Sequence, residues 1–339
     1  MIKSFYLVAA CLLLAGCEKR LGEGVTLTGI EAGEAVRVNL GTYEKAKAYP
    51  IPWDCTDYEF SWSSADPSIA SVDNYGRVTG NDVGNTVLYV SQGSFKVEIP
   101  VEVYEITLAE KLSAIGVKGL WQFMDADNLF KASIGPDLIP VGSGFTQVDG
   151  PTKRTKAASL PSSQKIDDTW HHNHLIYNHG FAANGGGKKV NEFTVVIDCK
   201  FPGGPTSDGT TWTNGKYYCL YQTALDNTTD GDFFWRPSAN FGITGSYSKT
   251  EHLFVKDKWY RFVISVQLGK ELKYFINGQK QEANGAGELD GDRAWQLAGV
   301  LLFADEDGEN GQGFPLIVSC LATFDRALSD DECRALGSL

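Results

Sequence analysis

The sequence lacks several patterns that would indicate a well-characterised chemistry. No two cysteines have C-x-x-C spacing, so the sequence does not predict a structural zinc site. It contains no G-x-S-x-G nucleophile elbow and no Ser/His/Asp or Cys/His nucleophile context. The glycine run at 184–187 is followed by neither Gly-Lys-Ser/Thr nor a predicted helix, which argues against a phosphate loop. Nucleophilic hydrolases and nucleotide-binding enzymes of the common types are therefore not expected.

Positive charge is also scarce. The 339 residues carry 30 Lys and Arg against 42 Asp and Glu, a formal net charge of −12. Such a chain repels phosphate backbones, so we expect no nucleic-acid partner. The 37 glycines and the 12% aromatic content are typical of turn-rich β structure, and the length suffices for two cores. The sequence therefore predicts an all-β protein of two domains.

The N-terminus has the features of an export signal. Lys3 supplies the positive charge, and the apolar run 7–15 is too short to span a bilayer as a mature helix. The segment ends in Leu-Ala-Gly-Cys17, which resembles the lipobox of bacterial lipoproteins. The resemblance implies a lipid on Cys17, a signal over 1–17, and a location in the cell envelope, which we expect to be the outer membrane. An ordinary signal peptide with an incidental cysteine is the alternative.

Five further cysteines follow, which is an odd number, so at least one stays unpaired within the chain. Cys199 and Cys219 lie on consecutive predicted strands, and Cys320 and Cys333 flank the last strand and helix. Each couple could form a disulfide. The alternative is that all of these residues are buried free thiols.

Residues 18–24 read as a short polar tether, and residues 25–104 as the first β domain. Short alternating runs are separated by Asp-Pro and Asn-Tyr-Gly turns. The stretch 62–80, WSSADPSIASVDNYGRVTG, resembles the hallmark of the bacterial group 2 immunoglobulin-like domain. The resemblance implies an immunoglobulin-like β-sandwich. Such domains act as spacers or adhesion modules, and we favour a spacer.

A helical linker is predicted over 105–117, followed by a second β domain over 118–339. Apolar residues alternate with polar ones along 193–201 and 260–268, which indicates strands. Asn277-Gly278 after an apolar run is a strong hairpin signal. The apolar run 316–324 is followed by Ser329 and Glu332 in capping-box spacing. Long strands joined by turns predict a two-sheet jelly roll.

Several stretches in order resemble LamG-like, concanavalin A-like jelly-roll domains. The carriers of this resemblance are GLWQF at 119–123, the run 179–194, DGD at 230–232, WYR at 259–261, YFING at 274–278 and FDRALS at 324–329. The resemblance implies the fold but does not select a function, because this fold has sugar-binding, protein-binding and catalytic versions.

An acidic, glycine-rich loop precedes the last strand, with Asp305, Glu306, Asp307 and Glu309. Glycosidases on this general fold carry E-x-D-x-E on a strand, and this loop has neither that spacing nor a strand pattern, so we expect no catalysis. Pentraxin-type relatives have a short acidic run here, which implies calcium held by Asp305, Glu306 and Asp307. A solvated acidic turn is the alternative.

Aromatic residues near predicted loops are candidate sugar platforms, because sugar rings stack their C–H faces on aromatic rings. The candidates are Trp212, Trp235 and Tyr247, with Trp170 a further loop aromatic, and burial in the core is the alternative for these residues. His172 and His174 share a strand face and could chelate a metal, although ordinary surface or hydrogen-bonded histidines are the preferred interpretation. The segment 226–232 is expected to be a turn whose carboxylates bond backbone amides.

The sequence thus predicts a lipid-anchored envelope protein whose second domain binds a glycan without catalysis. Its partners would be a glycan, or a cell-surface protein in the alternative of a structural or adhesive role, and the membrane through the anchor. Calcium is the one cofactor that the sequence suggests. A concanavalin A-like glycoside hydrolase is a third and less favoured hypothesis, because the acidic loop has the wrong spacing.

Overall fold

A computed structural model describes residues 25–171, 173–202, 218–226, 228–236, 240–249, 256–283, 285–303 and 315–339. Over these residues the chain divides into two compact units, with the boundary between Ile106 and Thr107. Strands dominate both units, and the all-β prediction is confirmed. None of the helices within these ranges is both long enough and apolar enough to cross a membrane.

The first unit contains nine short strands in three small sheets. They are β1 (Gly29–Ala32), β2 (Val36–Asn39), β3 (Tyr43–Lys45), β4 (Ala48–Ile51), β5 (Ser61–Ser64), β6 (Ala70–Val72), β7 (Arg77–Gly80), β8 (Gly84–Gln92) and β9 (Phe95–Tyr104). The sheet orders are β1–β4, β2–β9–β8–β5 and β3–β7–β6, and only the β2–β9 pairing is parallel. Alternating side chains such as Val36, Val38, Leu88 and Val90 form one buried core, as expected of a sandwich.

The second unit begins with helix α1 and ends with helix α2. Its elements are α1 (Leu108–Ala114), β10 (Gly119–Trp121), β11 (Ile139–Val141), β12 (Thr146–Asp149), β13 (Lys156–Leu160), β14 (Gln164–Ile166), β15 (Thr169–His171), β16 (His174–Tyr177), β17 (Glu192–Lys200), β18 (Tyr218–Gln222), β19 (Phe233–Trp235), β20 (Phe241–Ile243), β21 (Ser246–Tyr247), β22 (Trp259–Gln267), β23 (Glu271–Ile276), β24 (Gln279–Gln281), β25 (Val300–Leu302), β26 (Leu316–Phe324) and α2 (Asp330–Ala335).

Two large antiparallel sheets form the body of this unit. The eight-stranded sheet has the order β12–β13–β26–β17–β22–β23–β24, with β10 paired to β26. The seven-stranded sheet has the order β11–β16–β25–β18–β19–β20–β21, and β14–β15 is a separate hairpin. Aromatic side chains from both sheets meet in one core: the Trp235 ring, for example, lies 5.5 Å from Phe262 of β22. The two sheets therefore pack face to face, as in a sandwich.

The outer face of the central strands of the eight-stranded sheet is also buried. Its second core includes Val196 and Val263 from the strands, Leu112 from α1, and Leu328 and Cys333 from the C-terminal segment. Both helices begin with capping boxes, at Thr107 and at Ser329. The segment predicted to be a linker therefore contains a helix that is packed into the second unit.

Candidate functional site

The outward face of the seven-stranded sheet is the candidate site. Direct cross-strand pairing places Cys219, Phe234, Gly242 and Tyr247 in one row. Their strand neighbours Phe233 and Trp235 point into the core. Cys219 and Phe234 are buried, whereas Tyr247 at the edge of the row is half-buried. The accessible aromatic surface of this row is therefore at β21.

Trp235 is not a ligand platform, and that prediction is wrong. Its side chain is 0% exposed, and its ring centroid lies 5.1 Å from that of Phe201 and 5.5 Å from that of Phe262. The sequence placed Trp235 near a predicted loop, which suggested an exposed side chain. In a strand, alternate residues point to the same face, so Trp235 shares the inward face with Phe233 while Phe234 points outward.

Tyr247 pairs with a cation that the sequence analysis did not select. The Arg236 guanidinium carbon lies 4.2 Å from the centre of the Tyr247 ring, which is cation–π geometry. The Arg236 N–H donates to the Asn240 carbonyl at 2.8 Å, so the backbone fixes the residue just after β19. The contact joins the residue that follows β19 to a residue of β21, two strands that are separated by β20 in the sheet. Together the two side chains offer a ring for stacking and guanidinium donors for oxygen atoms.

Loops beside this row are held by hydrogen bonds. The Asp232 carboxylate, 2% exposed, accepts the Thr223 N–H at 2.9 Å, and Asp226 accepts from the Thr228 hydroxyl at 2.6 Å. The Asp232 contact is to a backbone amide, as predicted for the carboxylates of 226–232, whereas Asp226 bonds a side-chain hydroxyl. The Arg293 guanidinium donates to the Thr244 carbonyl at 2.6 Å. These hydrogen bonds hold the loops that connect β18, β19 and β20 in place. They assign the Asp226 and Asp232 carboxylates to loop structure.

The histidine segment contains one side chain whose ring nitrogens are both engaged. His179 Nε2–H donates to the Gln296 carbonyl at 2.9 Å, while Nδ1 accepts the Phe181 N–H at 2.9 Å. This pattern requires a neutral imidazole, and burial lowers the pKa of His179 accordingly. His174 is buried, and His172 lies outside the described residues. Within the parts of the chain that the structure describes, no three His, Cys, Asp or Glu side chains are grouped to hold a metal ion.

Other predicted site residues lie outside the described ranges. These are the lipidation residue Cys17, the sugar-platform residue Trp212, and the calcium residues Asp305, Glu306 and Asp307. The calcium site therefore stays a prediction. The residue before the acidic loop, Phe303, is tied to the sheet, because its N–H donates to the Leu220 carbonyl at 2.7 Å.

All five cysteines after Cys17 are buried free thiols. The structure contains neither the Cys199–Cys219 nor the Cys320–Cys333 disulfide that the sequence left open. Burial raises the pKa of the Cys199 and Cys320 thiols well above the usual range and that of Cys333 to about 12. The thiolate is the nucleophilic form, so these groups are packing residues rather than nucleophiles.

Comparison with known proteins gives one family match and several distant structural similarities. The binding domain of Paraclostridial mosquitocidal protein 1 has a TM-score of 0.43 at 16% identity, over 65% of this chain and 51% of that one. Domain 4 of the arabinanase AbnA from Geobacillus stearothermophilus, solved with arabinotriose, has a TM-score of 0.43 at 17% identity, over 65% of this chain and 98% of that one. The botulinum neurotoxin type G receptor binding domain has a TM-score of 0.42 at 11% identity, over 65% of this chain and 50% of that one.

The chain thus spans about half the length of two of these three structures. No curated protein sequence matches it significantly. The family match falls on the first unit, where residues 30–100 fit the bacterial Ig-like domain (group 2). The resemblance seen in the stretch 62–80 is thereby confirmed, and residues 30–100 form a bacterial Ig-like domain of group 2.

Proposed function

We propose that this chain is a non-catalytic carbohydrate-binding protein of the cell envelope. The observation that carries the proposal is the half-buried Tyr247 on the outward face of the seven-stranded sheet, with Arg236 stacked at 4.2 Å. An aromatic ring binds the apolar C–H face of a sugar, and a guanidinium donates to hydroxyl or carboxylate oxygens. Calcium at Asp305, Glu306 and Asp307 would add a second means of holding sugar oxygens.

The absence of hydrolysis in this proposal rests on the sequence, because the acidic loop lacks the E-x-D-x-E spacing of glycosidases on this general fold. Hydrolysis of a glycosidic bond needs two carboxyl groups that flank the substrate. Among the described residues the buried carboxylates are Asp198 and Asp232, and they accept hydrogen bonds from Arg261 and Thr223. Both are therefore engaged in holding the fold.

In this proposal Cys17 carries the lipid that anchors the chain in the outer membrane, and the Ig-like domain is a spacer between the anchor and the second unit, which binds the glycan. Adhesion to a protein partner is the second candidate. It is favoured by two exposed aromatic residues of the Ig-like domain, Tyr43 and Tyr75, which are 62% and 80% exposed. Exposed aromatic side chains are common anchors in protein interfaces.

A glycan array followed by titration calorimetry tests the carbohydrate proposal on the mature chain. We expect Tyr247→Ala and Arg236→Ala each to weaken binding about fivefold, since ring stacking and cation–π contacts are worth about 1 kcal/mol each. The matched control is Tyr43→Ala in the first unit, where Arg77 stacks on Tyr43 at 4.7 Å, and we expect it to bind as the parent does. If no glycan binds, or if Tyr43→Ala weakens binding as much as Tyr247→Ala, the assignment is wrong.

A further inference from the structure

The Ig-like domain exposes an apolar patch that its own core does not explain. Tyr49 and Ile51 alternate with the buried Pro50 on β4, so both point outward, and they are 46% and 44% exposed. Trp53, two residues further on, is 87% exposed. The residue of β1 that pairs with Ile51 is Gly29, which has no side chain to cover Ile51. We call Tyr49, Ile51 and Trp53 the apolar patch.

This patch lies where the chain enters the domain. The Thr28 N–H and hydroxyl both donate to the Ile51 carbonyl, at 2.7 and 3.0 Å. On the far side of Trp53, Asp57 lines a cleft of about 330 Å³ together with the entering segment 25–27 and the β8–β9 turn. The loop that carries Trp53 therefore has both of its ends against residues 25–28.

The covalent distance from this point to the predicted lipid is short. Val25 follows Cys17 by eight residues, and eight extended residues span at most about 29 Å. That length is less than the thickness of one bilayer, including its headgroups. A lipid on Cys17 would therefore hold residues 25–28, and the loop bound to them, close to the membrane surface. This step depends on the proposed lipidation of Cys17.

We propose that the apolar patch rests in the headgroup region of the anchoring membrane and orients the Ig-like domain on it. Trp and Tyr are the side chains that favour this region, because one end of each is apolar and the other can hydrogen-bond. Insertion of Ile51 adds buried apolar area. The proposal gives the domain a lipid contact of its own, beyond the role of a spacer.

The charges around the patch specify the type of surface. Exposed acidic residues flank it on the loop and on β1, with Lys47 an exposed cation on the other side; the acidic residues are Glu31, Asp54, Asp57 and Glu59. Anionic lipid would repel this rim. The contact is therefore with zwitterionic headgroups, and added anionic lipid weakens it.

The test anchors the mature chain at Cys17 through a maleimide lipid in phosphatidylcholine vesicles. The five other cysteines are buried, which directs the coupling to Cys17. The emission of Trp53 is obtained by subtracting the spectrum of Trp53→Phe, a change at a position exposed enough not to affect folding, as circular dichroism would verify. We expect Trp53 emission to shift to shorter wavelength, to be quenched by brominated phosphatidylcholine, and to lose most of its quenching by aqueous iodide.

The matched control moves the exposed indole to the turn between β6 and β7. Tyr75, 80% exposed, precedes Gly76, whose carbonyl accepts from Ala46 N–H before β4 begins. In the double variant Trp53→Phe/Tyr75→Trp, we expect the added emission to remain quenched by iodide and not by brominated lipid. If Trp53 stays as accessible to iodide on vesicles as in solution, the membrane contact is refuted.

Failure of the lipid contact can be separated from failure of the anchor. Mass spectrometry of the protein from membrane fractions shows whether Cys17 carries acyl chains. A Cys17 without acyl chains would refute natural lipidation but not the lipid contact of the apolar patch. The maleimide anchor imposes the same attachment point either way. Mixed phosphatidylcholine–phosphatidylglycerol vesicles should reduce the Trp53 shift, and an increase would contradict the assignment to a zwitterionic surface.

Discussion

The buried ion pair between Asp198 and Arg261 should be the most sensitive polar contact in the second unit. The two residues face each other across β17 and β22, on the sheet face beneath α2. Two hydrogen bonds of 2.7 Å join the carboxylate to the guanidinium, and the side chains are 3% and 6% exposed. The guanidinium also donates to the Leu336 carbonyl, which ties the C-terminal segment to the sheet.

The perturbation is Arg261→Met, which keeps the apolar stem but removes the charge. Breaking a buried pair in this way typically costs about 3–5 kcal/mol, because the remaining charge is left without compensation. Burial raises the pKa of Asp198, and in the parent the bonds from Arg261 oppose that rise. Without Arg261, Asp198 should stay protonated in the folded state at pH values at which it is ionised in the unfolded state. The loss of unfolding free energy caused by Arg261→Met should therefore be smallest at acidic pH and should grow as pH rises.

Urea unfolding followed by tryptophan emission would measure this loss, because six of the eight tryptophans lie in the second unit. The matched control is Arg37→Met. Arg37 pairs with Glu102 at 2.7 Å, but both side chains are largely exposed, so little change in stability is expected. The double variant Asp198→Leu/Arg261→Met should recover most of the stability. If Arg261→Met behaves like Arg37→Met, the pair does not hold the C-terminal segment.

Four further predictions concern single side chains. The melting temperature should fall as pH falls below about 6.5, because burial lowers the pKa of His179 and the unfolded state takes up the proton first; His179→Gln should reduce that fall. Ser329→Ala should lower the free energy of unfolding in urea by about 1 kcal/mol, because the cap of α2 is lost. The hydrogen bond from Arg326 lowers the pKa of Glu332, the capping partner of Ser329, to about 2, so Glu332 should contribute stability that is lost as pH falls from 4.5 towards 2. Trp235→Ala should cost about 3–5 kcal/mol by leaving a cavity, whereas a surface platform would lose binding without losing stability.

Strands and turns of the second unit could be predicted because their signals are local. Alternation along 193–201 and 260–268 corresponds to β17 and β22, and the apolar run 316–324 corresponds to β26. Asn277 and Gly278 have φ angles of 50° and 76°, as expected of a hairpin with two left-handed positions. Each of these features depends on residues that are neighbours in sequence.

The burial of the polar strand face could not be predicted in the same way. Asp198 alternates with apolar residues and would ordinarily face water, yet it is 2% exposed, and Thr194 is 0% exposed. The Thr194 hydroxyl donates to the Arg326 carbonyl at 2.9 Å, across 132 residues of sequence. Periodicity gives the two faces of a strand but does not show that helices from distant segments cover the second one.

Coverage of the eight-stranded sheet on both faces restricts where a ligand can be recognised. Its inner face belongs to the core shared with the other sheet, and the outer face of its central strands is packed beneath α1 and α2. The seven-stranded sheet has only its inner face in that shared core. On its outward row Cys219 and Phe234 are buried, while Tyr247 stays partly accessible next to Arg236. Ligand contacts of the described strands should therefore concentrate at β21, and a substitution there should alter binding with less loss of stability than one at Phe234.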